Sequence, residues 1–249
     1  MSSPEPASER ALRILPCGDT ALTVEFGDTI DPALNAAVLA LEARVLAAGL
    51  PGLVETVPTY RSLTLHIDPL ETDPAAVEAA VRDLARGALP VPARRRLWRV
   101  PVVYGGEHGI DLDAVAESHG ISPRVVVERH AAPEYRVVML GFLPGYAYLA
   151  GLDPGLALSR RPNPRPVTPA GTISIGGAQA LVASIAAPSG WHLLGRTPVR
   201  SFAPSRDPVF LFEPGDAIRF VPTDPGRWEA LDRAAAAGDM VAELVEAAA

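Results

Sequence analysis

Lysine is absent. All 22 basic residues of this 249-residue chain are arginine, which rules out Schiff-base chemistry on a lysine amine and the lysine of a Walker A phosphate loop. Any phosphate or carboxylate bound here must be held by guanidinium groups or backbone amides. Cysteine occurs once, as Cys17, so neither an internal disulfide nor a thiolate metal cluster is available. The residue is expected to be a small buried side chain in a reducing compartment. No apolar run approaches 18 residues, and the first ten residues, MSSPEPASER, lack the basic-then-apolar pattern of an export signal. The expectation is a cytoplasmic protein that does not enter a membrane. A basic excess is missing too: 29 acidic against 22 basic residues give a net charge of −7, which argues against a nucleic-acid binder. Catalytic signatures are equally scarce, with no GxSxG elbow, no HExxH helix and no paired cysteines, and no metal site is expected.

What the chain does have is a 48% hydrophobic content, enough to bury a core. ALTVEFG (21–27) alternates like a half-buried strand, and Asp31-Pro32 supplies an N-cap and first-turn proline for a helix. Leu34, Val38, Leu41, Val45 and Leu46 fall on one face of that helix, and Gly49 ends it. LVETV (53–57) and RSLTLHI (61–67) read as a hairpin, Asp73-Pro74 as the cap of a second helix, and LWRVPVVYG (97–105) as a further strand. The order β-α-β-β-α-β predicts a ferredoxin-like α/β sandwich over roughly the first hundred residues, and the linker PVPARRR with its Arg94-Arg95-Arg96 run is the candidate boundary that sets the first domain at residues 1–95.

Beyond the boundary, DLDAVAESHG (111–120) and SPRVVVERHA (122–131) read as capped helices and YRVVMLGF (135–142) as a strand. From there to Pro222, short apolar runs (TISIGG, ALVASI, HLLG, VFLF, AIRFV) punctuated by Gly and Pro predict a compact antiparallel β-barrel over 96–223. Residues 224–249 read as a separate acidic, alanine-rich helical extension. Its apolar stripe comprises Trp228, Leu231, Val241, Leu244 and Val245.

The chemistry concentrates after residue 141. In GFLPGYAYLAGLDPGLALSRRPNPRPVTPAG (141–171), prolines fix φ and remove backbone donors, so SRRPNPRP reads as a stiffened arm presenting Arg160, Arg161 and Arg165. Between Pro154 and Arg206 there is no Asp or Glu, while Arg196, Arg200 and Arg206 also lie there. Such a cationic segment suits a carboxylate or phosphate held by bidentate guanidinium contacts, with Gly171, Gly176 and Gly177 letting backbone amides come close. Pairing with carboxylates of the first domain, or simply covering the barrel's surface, is the alternative role for these arginines. Of the five histidines, His66, His108 and His119 sit where strand, turn and helix-end roles are natural. His130 and His192 are better placed for general acid-base work, against a buried structural role for each.

Several spaced motifs then carry a resemblance: PVVYGG (101–106), VVERH (126–130), EYRVVMLGFLPGYAYL (134–149), RRPNPR (160–165), PAGTISIGGAQ (169–179), PSGWHLLGRTP (188–198) and PGDAIRFVP (214–222). They resemble the carboxyltransferase-like "allophanate hydrolase subunit 1" family, which includes the B subunits of 5-oxoprolinases and the kinase inhibitor KipI. The resemblance implies an α+β fold with a cyclophilin-like β-barrel after the smaller α/β domain. It also implies one component of an ATP-dependent 5-oxoprolinase that is inactive alone. Its partners would be a KipA-like C subunit, with which ATP is shared or by which it is held, and an A subunit that opens the ring to L-glutamate. Phosphorylating the lactam oxygen turns an unreactive amide into an electrophile that water attacks. Carried over by position, the resemblance implies catalytic roles for His130, Arg161 and Gln179. It implies substrate or anion binding by Arg160, Arg165, Gly171, Gly176, Gly177, Trp191 and Arg196. The chain departs from the family where GYAYL replaces GFPYL and where Gln179-Ala180-Leu181-Val182-Ala183-Ser184 replaces a QTGxYP-like run. A component acting on allophanate or another small amide, and a KipI-like histidine-kinase inhibitor, remain the alternatives.

Overall fold

Two aspartates start the helices of the first unit. In the computed structural model, which describes residues 12–89 and 96–245, the chain divides into units Met1–Ala93 and Arg94–Ala249. Asp31 accepts from the Ala33 amide at 2.8 Å and Pro32 opens α1 (Pro32–Ala48); Asp73 accepts from Ala75 at 3.0 Å ahead of α2 (Pro74–Leu84). Gly49, at φ 56°, closes α1 in the left-handed conformation that glycine tolerates best. Leu34, Val38, Leu41 and Val45 are buried, whereas Leu46 is 58% exposed, because it sits about 100° further round the helix than Val45.

Four antiparallel strands, β1 (Arg13–Pro16), β2 (Ala21–Glu25), β3 (Leu53–Pro58) and β4 (Ser62–Ile67), lie in the order β1-β2-β4-β3. Their core includes Leu22, Val24, Leu63 and Leu65, packed with Val38 and Leu41 of α1 and Val77 and Val81 of α2. The expected sixth element of this sandwich is corrected. Residues 97–104 form a strand of the second unit, and the place beside β2 is taken by β1, a four-residue hairpin arm too short to read as a strand from pattern alone. Cys17, expected to be buried, is exposed. It sits in the β1–β2 turn, where its amide donates to the Ala21 carbonyl. The proposed linker falls almost wholly in residues 90–95, outside the described residues.

The second unit is built on a closed barrel. Its strands are β5 (Leu97–Tyr104), β6 (Tyr135–Leu140), β7 (Ala147–Ala150), β9 (Thr172–Gly176), β10 (Gln179–Val182), β12 (His192–Arg196), β13 (Ala217–Pro222) and β14 (Glu243–Val245). The sheet order is β12-β9-β10-β7-β6-β13-β5-β14, and β12 pairs back to β5 through Gly195 opposite Tyr104 and Arg196 opposite Val103, closing a seven-stranded ring. β13 runs parallel to β5, so the barrel is not wholly antiparallel as expected. A two-stranded ribbon, β8 (Arg165–Thr168) with β11 (Ala187–Ser189), stands apart from the ring. Helices α3 (Leu112–His119) and α4 (Pro123–Ala131) contribute Val115 and Val126 to the barrel core, with Tyr135, Leu149, Ile173 and Leu194.

Two local expectations fail here because a strand needs a paired edge and local propensity alone does not decide it. The run VFLF (209–212) makes only an isolated bridge, Phe210 to Phe202. Among the described residues, the C-terminal segment has a 3-10 turn at Pro225–Arg227 leading into α5 (Trp228–Ala236), and Glu243–Val245 instead pair with Arg99, Trp98 and Leu97 on the free edge of β5. Among the described residues, no helix is long and apolar enough to cross a membrane.

Candidate functional site

Side chains alternate along a strand, so each barrel strand serves two faces. On β7, Ala147 and Leu149 point into the barrel core, while Tyr148, with Tyr146 just before the strand, joins a satellite apolar cluster with Leu181 of β10, Ala183, Ala187 and Trp191. Tyr148 and Leu181 are directly paired across the strands. This outer face is the floor of an open cavity of about 320 Å³, whose wall is completed by Arg160, Arg161, Pro164, Ser189 and Gly190, with Phe142 at the rim.

The proline-rich arm is tied down at intervals over residues 158–165. Leu158 bridges Gly177, the His192 ring Nε2–H donates to the Ser159 carbonyl at 2.8 Å, and the Arg161 amide donates to the Gly190 carbonyl at 2.7 Å. Further along, Arg165 Nη2 reaches Asp111 Oδ1 at 2.5 Å. His192, considered for acid-base work, is thereby a strap for the arm.

Within the cavity the arginines differ in freedom. Arg160 is exposed and lies over the Trp191 ring at 5.2 Å, with no ion pair among the described residues. Arg161 is half-buried, stands 3.4 Å from Asp111 Oδ1, and its buried Nε has no hydrogen-bond acceptor among the described residues. Burial raises the pKa of the Tyr148 hydroxyl while Arg160 pulls it down; Tyr146, whose hydroxyl donates to the Ile185 carbonyl, is pushed up to about 12 by burial. Both phenols therefore stay protonated at neutral pH. The Ser189 hydroxyl accepts from the Trp191 amide at 3.1 Å and retains its own proton to donate.

Three of the expected site residues are thus brought together: Arg160, Arg161 and Trp191. The others are not. His130 is fully buried, enclosed by the rings of Tyr104, Tyr135 and Phe220, with its Nδ1 2.8 Å from the Tyr104 hydroxyl. A group sealed among aromatic rings has no route to a substrate, so the general acid-base role is corrected to a structural one. Arg165 spends its charge on Asp111. Arg196 donates twice to the Ala170 carbonyl and stacks over Trp228 at 4.8 Å, and Gln179 lies outside the cavity lining. Gly171 and Gly177 do not offer their amides to an anion, since Gly171 donates to the Ala183 carbonyl and Gly177 to the Leu158 carbonyl. Gly176 is needed because a Cβ there would sit 2.7 Å from the Trp191 indole. The residues that sequence reasoning missed are Asp111 and Ser189, whereas the aromatic residues of GFLPGYAYL (141–149) are read from the sequence as carried to a pocket rim, where Phe142, Tyr146 and Tyr148 lie.

His130 yields a pH prediction. Burial drives its pKa down to about 3 from the ordinary 6.5. Below pH 6.5 the unfolded chain takes up a proton that the folded chain refuses, so this residue's contribution is fully present above that pH and is lost as pH falls toward the folded value. His130→Phe keeps a ring in the aromatic box and removes the proton site. Between pH 7 and about pH 4.5 the wild type is expected to lose about 2–3 kcal/mol of stability relative to the variant, measured by urea unfolding at both. Parallel pH dependences would exclude the assignment.

The chain matches the family described as the carboxyltransferase domain, subdomain C and D, over residues 12–212. It belongs to that family. The 5-oxoprolinase B subunit of Bacillus subtilis (strain 168) is 38% identical over 215 residues, covering 82% of this chain and 90% of that protein. Among solved structures, TTHA0988 superposes with a TM-score of 0.74 at 35% identity, over 82% of this chain. The urea amidolyase of K. lactis gives a TM-score of 0.81 over 98% of this chain at 18% identity, a likeness of fold. This family member spans 40% of TTHA0988 and 17% of the amidolyase, so it corresponds to one portion of each of those longer chains.

Proposed function

We propose that this chain is the B subunit of an ATP-dependent 5-oxoprolinase, working with the C and A subunits of that enzyme to convert 5-oxo-L-proline to L-glutamate. The observation that carries the reading is the cavity itself, in which two arginines face an aromatic and aliphatic floor. Arg160 and Arg161 supply bidentate donors for one carboxylate. Tyr148 and Leu181 offer a flat apolar surface to a five-membered ring, and the Tyr148 and Ser189 hydroxyls are donors for a lactam oxygen. At about 320 Å³, the cavity is near the small end of ligand sites, which suits such a substrate. The relationship to a curated B subunit supports the same assignment.

These residues do not fit a nucleoside triphosphate. The cavity has two guanidinium groups against a polyphosphate's charge, Gly171 and Gly177 use their amides internally, and no cluster able to hold a metal ion occurs among the described residues. ATP is accordingly assigned chiefly to the C subunit. The work of this chain is to bind the substrate carboxylate, orient the lactam toward that partner and exclude water from one face.

The test is reconstitution with the A and C subunits, followed by measurement of ATP-dependent glutamate release from 5-oxo-L-proline, with allophanate assayed in parallel. Glutamate release that requires this chain is the expected result. Release equal to a control lacking it would remove the assignment, and turnover of allophanate alone would transfer the chain to the amide-hydrolase reading.

A further inference from the structure

Asp111 occupies the N-cap position of α3, yet its side chain makes no capping hydrogen bond. Its carboxylate is 5% exposed and turns instead to the arm. Oδ1 takes Arg165 at 2.5 Å and Arg161 at 3.4 Å, and Oδ2 accepts from the Leu193 amide on β12 at 2.8 Å. An ionised carboxylate is held out of water only where several donors converge on it, and here the donors come from two segments that meet at the cavity.

We propose that Asp111 is the positioning residue of the anion site, fixing the orientation of Arg161 while cancelling the charge of Arg165. The proposal rests on the reading of the cavity as a carboxylate site and extends it to charge selectivity. Three arginines on one short arm would favour a multiply charged anion. With Arg165 paired, only Arg160 and the outward edge of Arg161 remain for a ligand, which matches a small monocarboxylate in preference to a polyphosphate. Two further features fit. Arg161 Nε and Arg165 Nη1 are buried without acceptors among the described residues, so Asp111 holds both side chains in place without saturating them, and Arg161 belongs to the cavity wall.

The experiment is a double-mutant cycle on the purified full chain, read by calorimetric titration with 5-oxo-L-proline and, separately, inorganic pyrophosphate. Asp111→Asn is expected to weaken 5-oxo-L-proline binding at least about tenfold and to strengthen pyrophosphate binding relative to it. Because Asp111 acts through Arg161, the pair Asp111→Asn with Arg161→Ala is expected to bind no more weakly than Arg161→Ala alone. Additive losses, or unchanged affinity in Asp111→Asn, would overturn the proposal. Orientation is also read without ligand, from the Arg161 Nε–H resonance in 15N-edited spectra, identified by its disappearance in Arg161→Ala. That signal is expected to shift or broaden in Asp111→Asn, and its persistence unchanged overturns positioning. Wild type that ignores 5-oxo-L-proline while the resonance responds as expected supports positioning and overturns only the substrate reading. If Asp111→Asn does not fold, Asp111→Glu keeps the charge, displaces it by one methylene and carries the same comparisons.

Discussion

Replacing Gly171 with alanine is expected to cripple folding of the second unit while leaving the chemistry of the cavity untouched in whatever fraction folds. Gly171 is buried at φ 75°, and a Cβ built on it would sit 2.2 Å from the Thr197 carbonyl oxygen. A backbone atom cannot rotate away as a side chain can. The same residue donates its amide to Ala183 and accepts from the Thr197 amide at 2.8 Å, so moving either neighbour breaks the hydrogen bonds that join the PAG turn to the segments after β10 and β12. A left-handed non-glycine residue alone costs about 1–2 kcal/mol. Adding the clash and the lost bonds puts the total at roughly 3–5 kcal/mol, a large share of ordinary domain stability. For a domain of this size the unfolding midpoint is expected to fall by about 10 °C. The check is thermal unfolding by circular dichroism, paired with titration of 5-oxo-L-proline per folded molecule. A wild-type midpoint with weakened ligand binding would restore Gly171 to the anion site.

That contrast shows which parts of the molecule were legible in the chain. The helix starts at Asp31-Pro32, Asp73-Pro74 and Ser122-Pro123 are set by chemistry within three residues, and the structure places helices there because a cap's donors and acceptor are all local. The closed barrel was foreshadowed by short apolar runs between glycines and prolines. What escaped was whatever depends on a partner far along the chain. β1 and β14 are four and three residues long, and each is a strand only because β2 or β5 presents an unpaired edge to it. Glu243–Val245 lie in an alanine-rich stretch whose local preference is helical, and pairing with β5 overrides it.

The cavity divides along the same line. Arg160 and Arg161 were found because a carboxylate-free, proline-stiffened run of arginines is visible in sequence, and Trp191 because the PSGWHLLGRTP motif carries the family resemblance. Asp111 was missed because it lies 50 residues from Arg161 and carries the local signature of a helix cap. Arg165 and Arg196 looked equivalent to Arg161 on the line; only the fold shows that one is matched to a carboxylate and the other to a carbonyl and an indole. The imidazole of His130 looked available at a helix end, and only the ring stack around it explains why it is sealed.

Arg161→Ala carries the largest expected functional effect, and the structure explains why it should be separable from folding. The arm stays anchored in this variant: the residue 161 amide still donates to Gly190, Ser159 still receives His192, and Arg165 still pairs with Asp111. Asp111, left with one guanidinium partner and the Leu193 amide, remains satisfied. What disappears is the half-buried cation on the cavity wall. Binding energy from a substrate's carboxylate holds the reacting amide in register, so its loss falls on turnover as well as affinity. A single preorganised donor is commonly worth about 100-fold or more, and ATP-dependent glutamate release in the reconstituted complex is expected to drop by at least that factor. Size-exclusion chromatography should show the complex still assembled, and the unfolding midpoint should stay within a few degrees of wild type. Arg196→Ala is the matched control: it removes an equal charge that is occupied by Ala170 and Trp228, and turnover per folded complex is expected to remain within about threefold of wild type. If the two variants lose turnover to the same extent, the cavity loses its claim over the rest of the cationic segment. If Arg161→Ala keeps wild-type turnover, the guanidinium is not part of the site.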